Sequence, residues 1–432
     1  MTHSVSNKKG WLVTFSGTGI NLALGVLYTW SVIKAAIPEE WGWTAAQKSD
    51  PYAIACFVFA IAMIPAGRLQ DKIGPRWVAT IGGVAVALGC IIAGLAGSSY
   101  FGFVIGFGLL GGIGIGFGYA AATPAAVKWF PASQTGMIAG LVVAGFGLAS
   151  VYIAPTAQAL LGAYGVSTTM ILFGVAFFLI VVTLAQFLRN PPAGYVPFDA
   201  KADQRPTTTA AAKPPIEMNW RQMIRTPNFW MLWTMYAFGA AAGLMVIGSA
   251  ANMSKAALGP SAFVAVAVLA FGNAGGRVLA GVVSDIIGRQ LTLFFAFLLQ
   301  SVMVLIPLFY GDDILALLTA VLLIGACYGA NLALFPSATK DHFGLKSFGL
   351  NYGVMFTAWG VGGLILPRIA GMAKDITGKE DLAFYIASGL MICGAILALI
   401  NLAMTRGKFS KKQGTRDRKG RTILPGQHVA GA

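Results

Sequence analysis

The chain reads as an all-α integral membrane protein, with twelve transmembrane helices arranged as two six-helix pseudo-repeats. Three observations predict this. The composition is 57% hydrophobic and only 10% charged, at a mean hydropathy of +0.73, whereas a soluble domain carries roughly a quarter charged residues. Apolar runs of about 20 residues, the length that spans a bilayer core, occur twelve times, and one long polar stretch divides them six and six. Matching features then recur at a nearly constant offset in the two halves.

The spans read, in order, 11–37, 50–69, 77–97, 101–127, 135–160, 166–188, 228–254, 260–284, 290–310, 313–337, 347–372 and 381–405. Ahead of the first, residues 1–10 are polar and lead into a run too long for a signal-peptide core. The stretch 189–226 contains Pro191-Pro192, Thr207-Thr-Thr and Pro214-Pro215 and reads as a linker, with one short amphipathic helix around 218–224. The expected division is therefore a first bundle over 1–188, a linker over 189–227, a second bundle over 228–405 and a basic tail over 406–432.

Orientation follows from the Lys and Arg residues beside the spans. With the N-terminus inside, the inner loops hold Arg68, Lys72, Arg76, Lys128, six basic residues around the linker, Arg289, Lys340 and Lys346, and the tails add Lys8, Lys9 and the run 406–421. The outer side keeps Lys34, Lys48, Lys255, Lys374 and Lys379, mostly beside acids. Both termini are expected in the cytoplasm. The formal charge of +15 lies in short loops and tails, so it fits topology and anionic lipid rather than nucleic acid.

The repeat is specific. Gly67-Arg-Leu-Gln-Asp71-Lys-Ile-Gly74-Pro-Arg76 follows span 2, and Gly281-Val-Val-Ser-Asp285-Ile-Ile-Gly288-Arg289 follows span 8; Gly67 and Gly281, Asp71 and Asp285, and Gly74 and Gly288 each stand 214 positions apart. Tyr119 and Tyr328 are 209 apart, and Pro155 and Pro367 are 212 apart. Duplicated bundles of this kind hold a midplane site between two rocking halves.

Arg277 is the residue around which function is argued. Twelve helical steps separate it from Arg289 in the charged turn, roughly 18 Å at 1.5 Å per residue, which places it near the middle of the bilayer. A guanidinium there costs several kcal/mol unless it meets a partner or a cavity. All fifteen acids of the chain lie in loops, tails or at span ends. Either backbone carbonyls and water satisfy it or an anionic ligand does; the ligand is the expected partner, and the planar guanidinium fork suits a carboxylate. Asn273, one turn earlier on the same face, is placed either to meet the ligand or to orient the guanidinium. Tyr119 and Tyr328 occupy matching glycine-rich settings, a phenol that deep needs a hydroxyl partner, and both are expected to line the substrate site beside Arg277. Tyr28 and Asn331 read as helix–helix contacts. Lys374 and Arg368, near the outer end of span 11, are placed to draw an anion into an open mouth. Asp71, Asp285, Arg76 and Arg289 are assigned a conformational latch at the inner helix ends.

Other chemistry finds no support. Cys56, Cys90, Cys327 and Cys393 lie in apolar runs without CxxC spacing, and His3, His342 and His428 fall outside the spans. No metal-ligand cluster, paired nucleophile or phosphate loop is present, so an enzyme, a metal site and a bound cofactor are not expected. The glycines of spans 4, 5, 8 and 11 have no preceding strand and read as close-packing positions. A membrane sensor would need a signalling domain, which the tail of about 27 residues does not supply.

The loop after span 2, echoed after span 8, resembles the signature loop of the major facilitator superfamily. Arg225-Thr-Pro-Asn-Phe-Trp230, Asn273-x-x-x-Arg277, Leu334-Phe-Pro-Ser-x-x-x-Asp341-x-Phe-Gly and Asn351-Tyr-Gly resemble the monocarboxylate transporters and their oxalate–formate antiporter relatives. The resemblance implies a carrier working by alternating access, with Arg277 matching the arginine that binds the substrate carboxylate. Animal monocarboxylate transporters carry an aspartate where this chain has Asn273, and a lysine within helix 1 where this chain has none until Lys34. Oxalate antiporters carry a second midplane lysine where this chain has Trp359. One cation neutralises a monoanion well and a dianion poorly, so a small monocarboxylate is expected, with a proton as its partner and carboxylate exchange as the alternative. A monomer in a cell membrane, with the short loops of a bacterial protein, completes the expectation.

Overall fold

The computed structural model describes residues 2–131, 134–192, 195, 217–344 and 347–412, with the side chains of 2–7, 135–136 and 405–412 left out of the description. Most of the linker, Lys346 and the tail beyond 412 therefore lie outside the described residues. Among the described residues eleven helices are long and apolar enough to cross a membrane, and one of them, Met137–Ala185, is 49 residues long. It is two spans in one. Gly165 interrupts it at φ 73° and ψ 178°, a left-handed position open to glycine without a Cβ penalty. Counting that break gives twelve.

In chain order, α1 is Thr2–Leu24, continued through a 3-10 turn, Gly25–Thr29, into Trp30–Ala35. The sequence predicts one uninterrupted span here. The tightened turn arises where Gly25 lies on the helix that carries Phe146 and Ala149: a Cβ there would collide with Ala149 and the Phe146 carbonyl. Next come α2 (Ala45–Ile73), α3 (Pro75–Leu95) and α4, which starts at Tyr100–Phe103, widens to a π-helix over Val104–Gly111 and ends as Gly112–Val127. The arms of Thr135–Ala185 on either side of Gly165 are α5 and α6. The second half holds α7 (Pro227–Met253), α8 (Phe263–Ile287), α9 (Arg289–Met303, extended by Ile306–Tyr310), α10 (Ile314–Phe343), α11 (Phe348–Thr377) and α12 (Asp381–Lys412).

The repeat seen in sequence is also a repeat in backbone. Gly74 closes α2 at φ 84°, ψ 163°, and Gly288 closes α8 at φ 90°, ψ 157°. Helix packing repeats as well. Gly116 of α4 lies on α2 at Phe59 and Ala62, and Gly325 of α10, again 209 residues on, lies on α8 at Leu269 and Asn273. Gly272 and Gly276 of α8 reciprocate, each backbone close enough to α10 that a Cβ would strike the carbonyls of Leu322 and Ala326. Small residues let membrane helices approach this closely, and here they fix the height and rotation of Asn273 and Arg277. The single turn Trp220–Met223 realises the short helix expected in the linker, capped by Asn219 and Gln222. Asn351 Nδ2 donates to the Met218 carbonyl at 2.8 Å and ties the linker to α11.

The halves meet along α2–α11, α5–α8 and α1–α7. At the end that carries Glu39 and Asp375 they are tied firmly. Asp375 accepts from the backbone N–H of Ala45 and Ala46 at 2.6 and 2.9 Å, capping α2 from the other half. The Asp50 carboxylate, buried within α2, pairs with Arg368 of α11 at 3.4 Å and accepts from Tyr100 at 2.6 Å. At the opposite end, which carries Asp71 and Asp285, no hydrogen bond or ion pair joins the halves among the described residues. The halves are closed together at the Asp375 end, whereas near the Asp71 end a Cβ on Gly67, Gly140, Gly281 or Gly349 would meet nothing within 4 Å, and the helices there leave open space.

Candidate functional site

Arg277 is 9% exposed, at the junction of the halves. Its Nε donates to Asn273 Oδ1 at 3.0 Å, one turn back on α8. Its Nη1 donates to the Val143 carbonyl of α5 at 3.0 Å. Gly147, one turn on from Val143, presents bare backbone; a Cβ there would sit 3.6 Å from Nε, Nη2 and the Asn273 amide oxygen. The Tyr119 phenol faces the same guanidinium, with Tyr28 and Tyr352 as further electrostatic neighbours. Among the described residues no carboxylate lies within 4.0 Å of Arg277. A buried charge is then held by two uncharged acceptors, which position it without neutralising it.

The Asn273 oxygen orients the guanidinium, while its Nδ2 is buried with no hydrogen-bond partner among the described residues. Asn331, also fully buried, has neither amide atom partnered among the described residues. It packs on α7, where a Cβ at Gly239 would meet its Nδ2 at 2.5 Å.

Tyr328 does not meet Arg277. Its hydroxyl accepts from Trp359 Nε1 at 2.7 Å and shares a 2.7 Å hydrogen bond with Tyr28. Because Tyr28 belongs to the first half, the three side chains bridge α1, α10 and α11. Tyr119 is instead enclosed by rings: Phe59 and Phe146 at centroid distances of 5.4 Å and Phe356 at 6.4 Å. Phe356 stacks on Trp359 at 4.9 Å. One cation with two polar donors beside it, in an otherwise aromatic and apolar surround, can hold a single carboxylate and shield its organic remainder from water.

The other sequence-derived candidates are placed elsewhere. Lys374 is exposed at the closed end, 4.0 Å from Glu380, and is not brought to Arg277. Arg368 is engaged with Asp50. Of the four latch residues, Asp285 and Arg289 pair at 2.8 Å, and Arg289 reaches Asp341 of α10 at 3.5 Å and the Ser284 hydroxyl. These bonds stay inside the second half. Asp71 is exposed and unpaired among the described residues, and Arg76 lies over the Trp77 ring at 5.5 Å. Sequence reasoning missed the Val143 carbonyl, Gly147, Phe59, Phe146 and Phe356. An aromatic residue in an apolar span carries no signal of which face it occupies, and a backbone carbonyl carries none at all.

Comparison with known proteins bears on family and fold. The sequence model described as Major Facilitator Superfamily matches residues 13–367 and 242–429. The chain is 27% identical over 338 residues to the oxalate:formate antiporter of Oxalobacter formigenes, covering 77% of each chain. It is 25% identical over 414 residues to monocarboxylate transporter 11 of Homo sapiens, covering 90% of this chain and 82% of that one. Among solved structures, a bacterial homolog of the human lysosomal transporter Spinster, inward-facing and unoccupied, superposes with a TM-score of 0.62 at 18% identity, over 91% of this chain and 96% of that one.

Proposed function

The chain belongs to the major facilitator superfamily, and from that premise we propose that it carries a small monocarboxylate, of the L-lactate or pyruvate kind, by alternating access between its halves. The observation that carries the reading is Arg277: a buried guanidinium with no acid beside it, oriented by Asn273 and Val143 and faced by Tyr119. The substrate carboxylate binds that guanidinium, and the Asn273 amide nitrogen donates to a neighbouring carbonyl or hydroxyl oxygen of the substrate. The rings of Tyr119, Phe146, Phe59 and Phe356 cover the remainder. The relatives' printed names, oxalate:formate antiporter and monocarboxylate transporter 11, support carboxylate cargo.

The transported species is paired with a proton. Moving a lone monoanion into an inside-negative compartment costs about 2.3 kcal/mol per 100 mV, and a co-transported proton cancels that cost. The protein works as a monomer in a cell membrane, with 1–188 and 228–405 as the rocking bundles, 189–227 joining them and both termini cytoplasmic. A second reading, carboxylate exchange, is favoured by Asn273, which removes a titratable group from beside Arg277.

The test is uptake of radiolabelled L-lactate into proteoliposomes with and without an inward proton gradient, alongside Arg277→Ala. Gradient-stimulated uptake that the variant loses is the expected result. Uptake only into vesicles preloaded with another carboxylate would establish exchange, and unchanged uptake by the variant would remove Arg277 from the site.

A further inference from the structure

We propose that the cavity between α2 and α4 at the Asp71 end binds an anionic phospholipid, with Arg68 and Lys72 on its phosphate and an acyl chain along the apolar stripe beside them. Such a site is independent of which substrate is carried.

α2 and α4 run side by side and touch where glycines allow it: a Cβ on Gly112 would meet Ala55 and Val58, and one on Gly116 would meet Phe59 and Ala62. Past Gly116, toward the Asp71 end, a cavity of about 340 Å³ opens, lined by Ile64, Pro65, Arg68, Leu69, Lys72 and Phe117. It faces outward. Phe59, Ala62 and Ala66 are buried, whereas Ile61, Pro65, Arg68 and Lys72 are exposed and follow one another at helical spacing down one stripe of α2. The second half shows what such a stripe meets. At the 214-residue offset the counterparts are Gly275, Leu279, Val282 and Ile286, and the last three are 64%, 57% and 78% exposed. Large apolar side chains left that open on a membrane-spanning helix face lipid.

In the first half the same stripe ends in two cations. Arg68 stands five residues before the end of α2 at Ile73, roughly 7.5 Å along the axis, and Lys72 stands in the last turn. That depth matches the headgroup layer, roughly 5–8 Å thick on each side of the hydrocarbon core. Neither Arg68 nor Lys72 forms an ion pair among the described residues. Asp71, the acid nearest in sequence, is exposed and pairs with neither. A guanidinium fork and an ammonium over one cavity suit a phosphate group, and basic pockets between membrane helices take such headgroups. Ile61, Pro65 and the Phe117 ring supply an apolar wall for the chain. A zwitterionic headgroup brings its own ammonium and gains less from the pair. A free phosphate would leave the apolar wall unused, so the anionic lipid is the occupant that fits both parts of the cavity.

The full chain in detergent is titrated with phosphatidylglycerol and, separately, with phosphatidylcholine, and bound lipid is counted by native mass spectrometry. Wild type is expected to take one phosphatidylglycerol roughly tenfold or more tighter than phosphatidylcholine, and Arg68→Gln/Lys72→Gln to weaken that step roughly tenfold to thirtyfold. Arg68→Lys, which keeps the charge, stays within about threefold of wild type. Lys72→Gln alone, at an exposed helix end, weakens the step about threefold to tenfold and serves if the double variant does not fold. Lys8→Gln/Lys9→Gln removes the same charge from exposed residues outside the cavity and leaves the step unchanged. Equal weakening in the two double variants would make the binding a general charge effect and overturn the proposal, as would equal affinity of wild type for the two lipids. Inorganic phosphate that displaces the lipid at equal concentration would give the cavity to a free anion and overturn it as a lipid site.

Discussion

Replacing Asn273 by aspartate tests the site with the smallest change in shape. The amide oxygen sits 3.0 Å from Arg277 Nε, so the isosteric carboxylate forms a direct ion pair without repacking. At a charge separation of about 4 Å and an effective dielectric constant of about 20, that pair is worth about 4 kcal/mol. The incoming substrate carboxylate then meets a guanidinium already neutralised and a like charge beside it. If half of that energy or somewhat more is lost to the substrate, about 2–3 kcal/mol, the KM rises roughly 30- to 150-fold at neutral pH. Acidification protonates the new carboxyl, removes the competing charge and returns affinity, so the KM of the variant falls as pH falls. Wild type lacks that group, so the fall in the variant is steeper than any dependence that the co-transported proton gives wild type. The assay is the KM for L-lactate in proteoliposomes across a pH series, for Asn273→Asp and wild type side by side. A variant KM within about twofold of wild type, with the same pH profile, would show that the substrate carboxylate does not use Arg277. Transport abolished at every pH, with the protein still folded, would show that the aspartate locks the halves rather than competing for ligand.

Three further outcomes are expected. Gly276→Ala drives a methyl into the Ala326 carbonyl across the α8–α10 contact; overpacking of about 1–3 kcal/mol outweighs the helix-propensity gain, and the Tm in detergent falls by several degrees, whereas Gly281→Ala, with open space around it, does not lower it. Asp375→Ala removes the cross-half cap on Ala45 and Ala46, loosening the closed end; spin-label distances across that end widen, with a distribution unchanged from wild type as the contrary result. Tyr328→Phe strands the Trp359 Nε1 donor and the Tyr28 hydroxyl at a cost of about 1–3 kcal/mol, and a double-mutant cycle with Tyr28→Phe gives substantially less than additive loss; full additivity would deny the bond.

Under the proposed function, the position of Arg277 lets one guanidinium serve both halves of a transport cycle. Arg277 belongs to the second bundle, but its Nη1 partner and Gly147 belong to the first. A ligand placed on Arg277 therefore touches both bundles at once, which is the condition for ligand binding to bias their relative position.

The sequence by itself determined the membrane class, the spans, the duplication and the candidacy of Arg277, because each rests on local quantities. Run length is set by bilayer thickness, the repeat by a fixed offset, and the cost of a midplane guanidinium by its depth along one helix. Even the break between α5 and α6 was legible as the division between spans 135–160 and 166–188, although the helix runs on through Gly165 with only one non-helical residue. Only the tertiary structure decided what Arg277 touches. Val143 is 134 positions away and contributes a backbone carbonyl, which has no residue signature. The same holds for Tyr328, legible as a buried phenol but not as the partner of Tyr28 and Trp359, and for Asp50, legible as an acid at a span end but not as a cross-half ion pair. Faces and partners follow from how two bundles pack, and that packing is fixed by many small contacts between segments far apart in the chain.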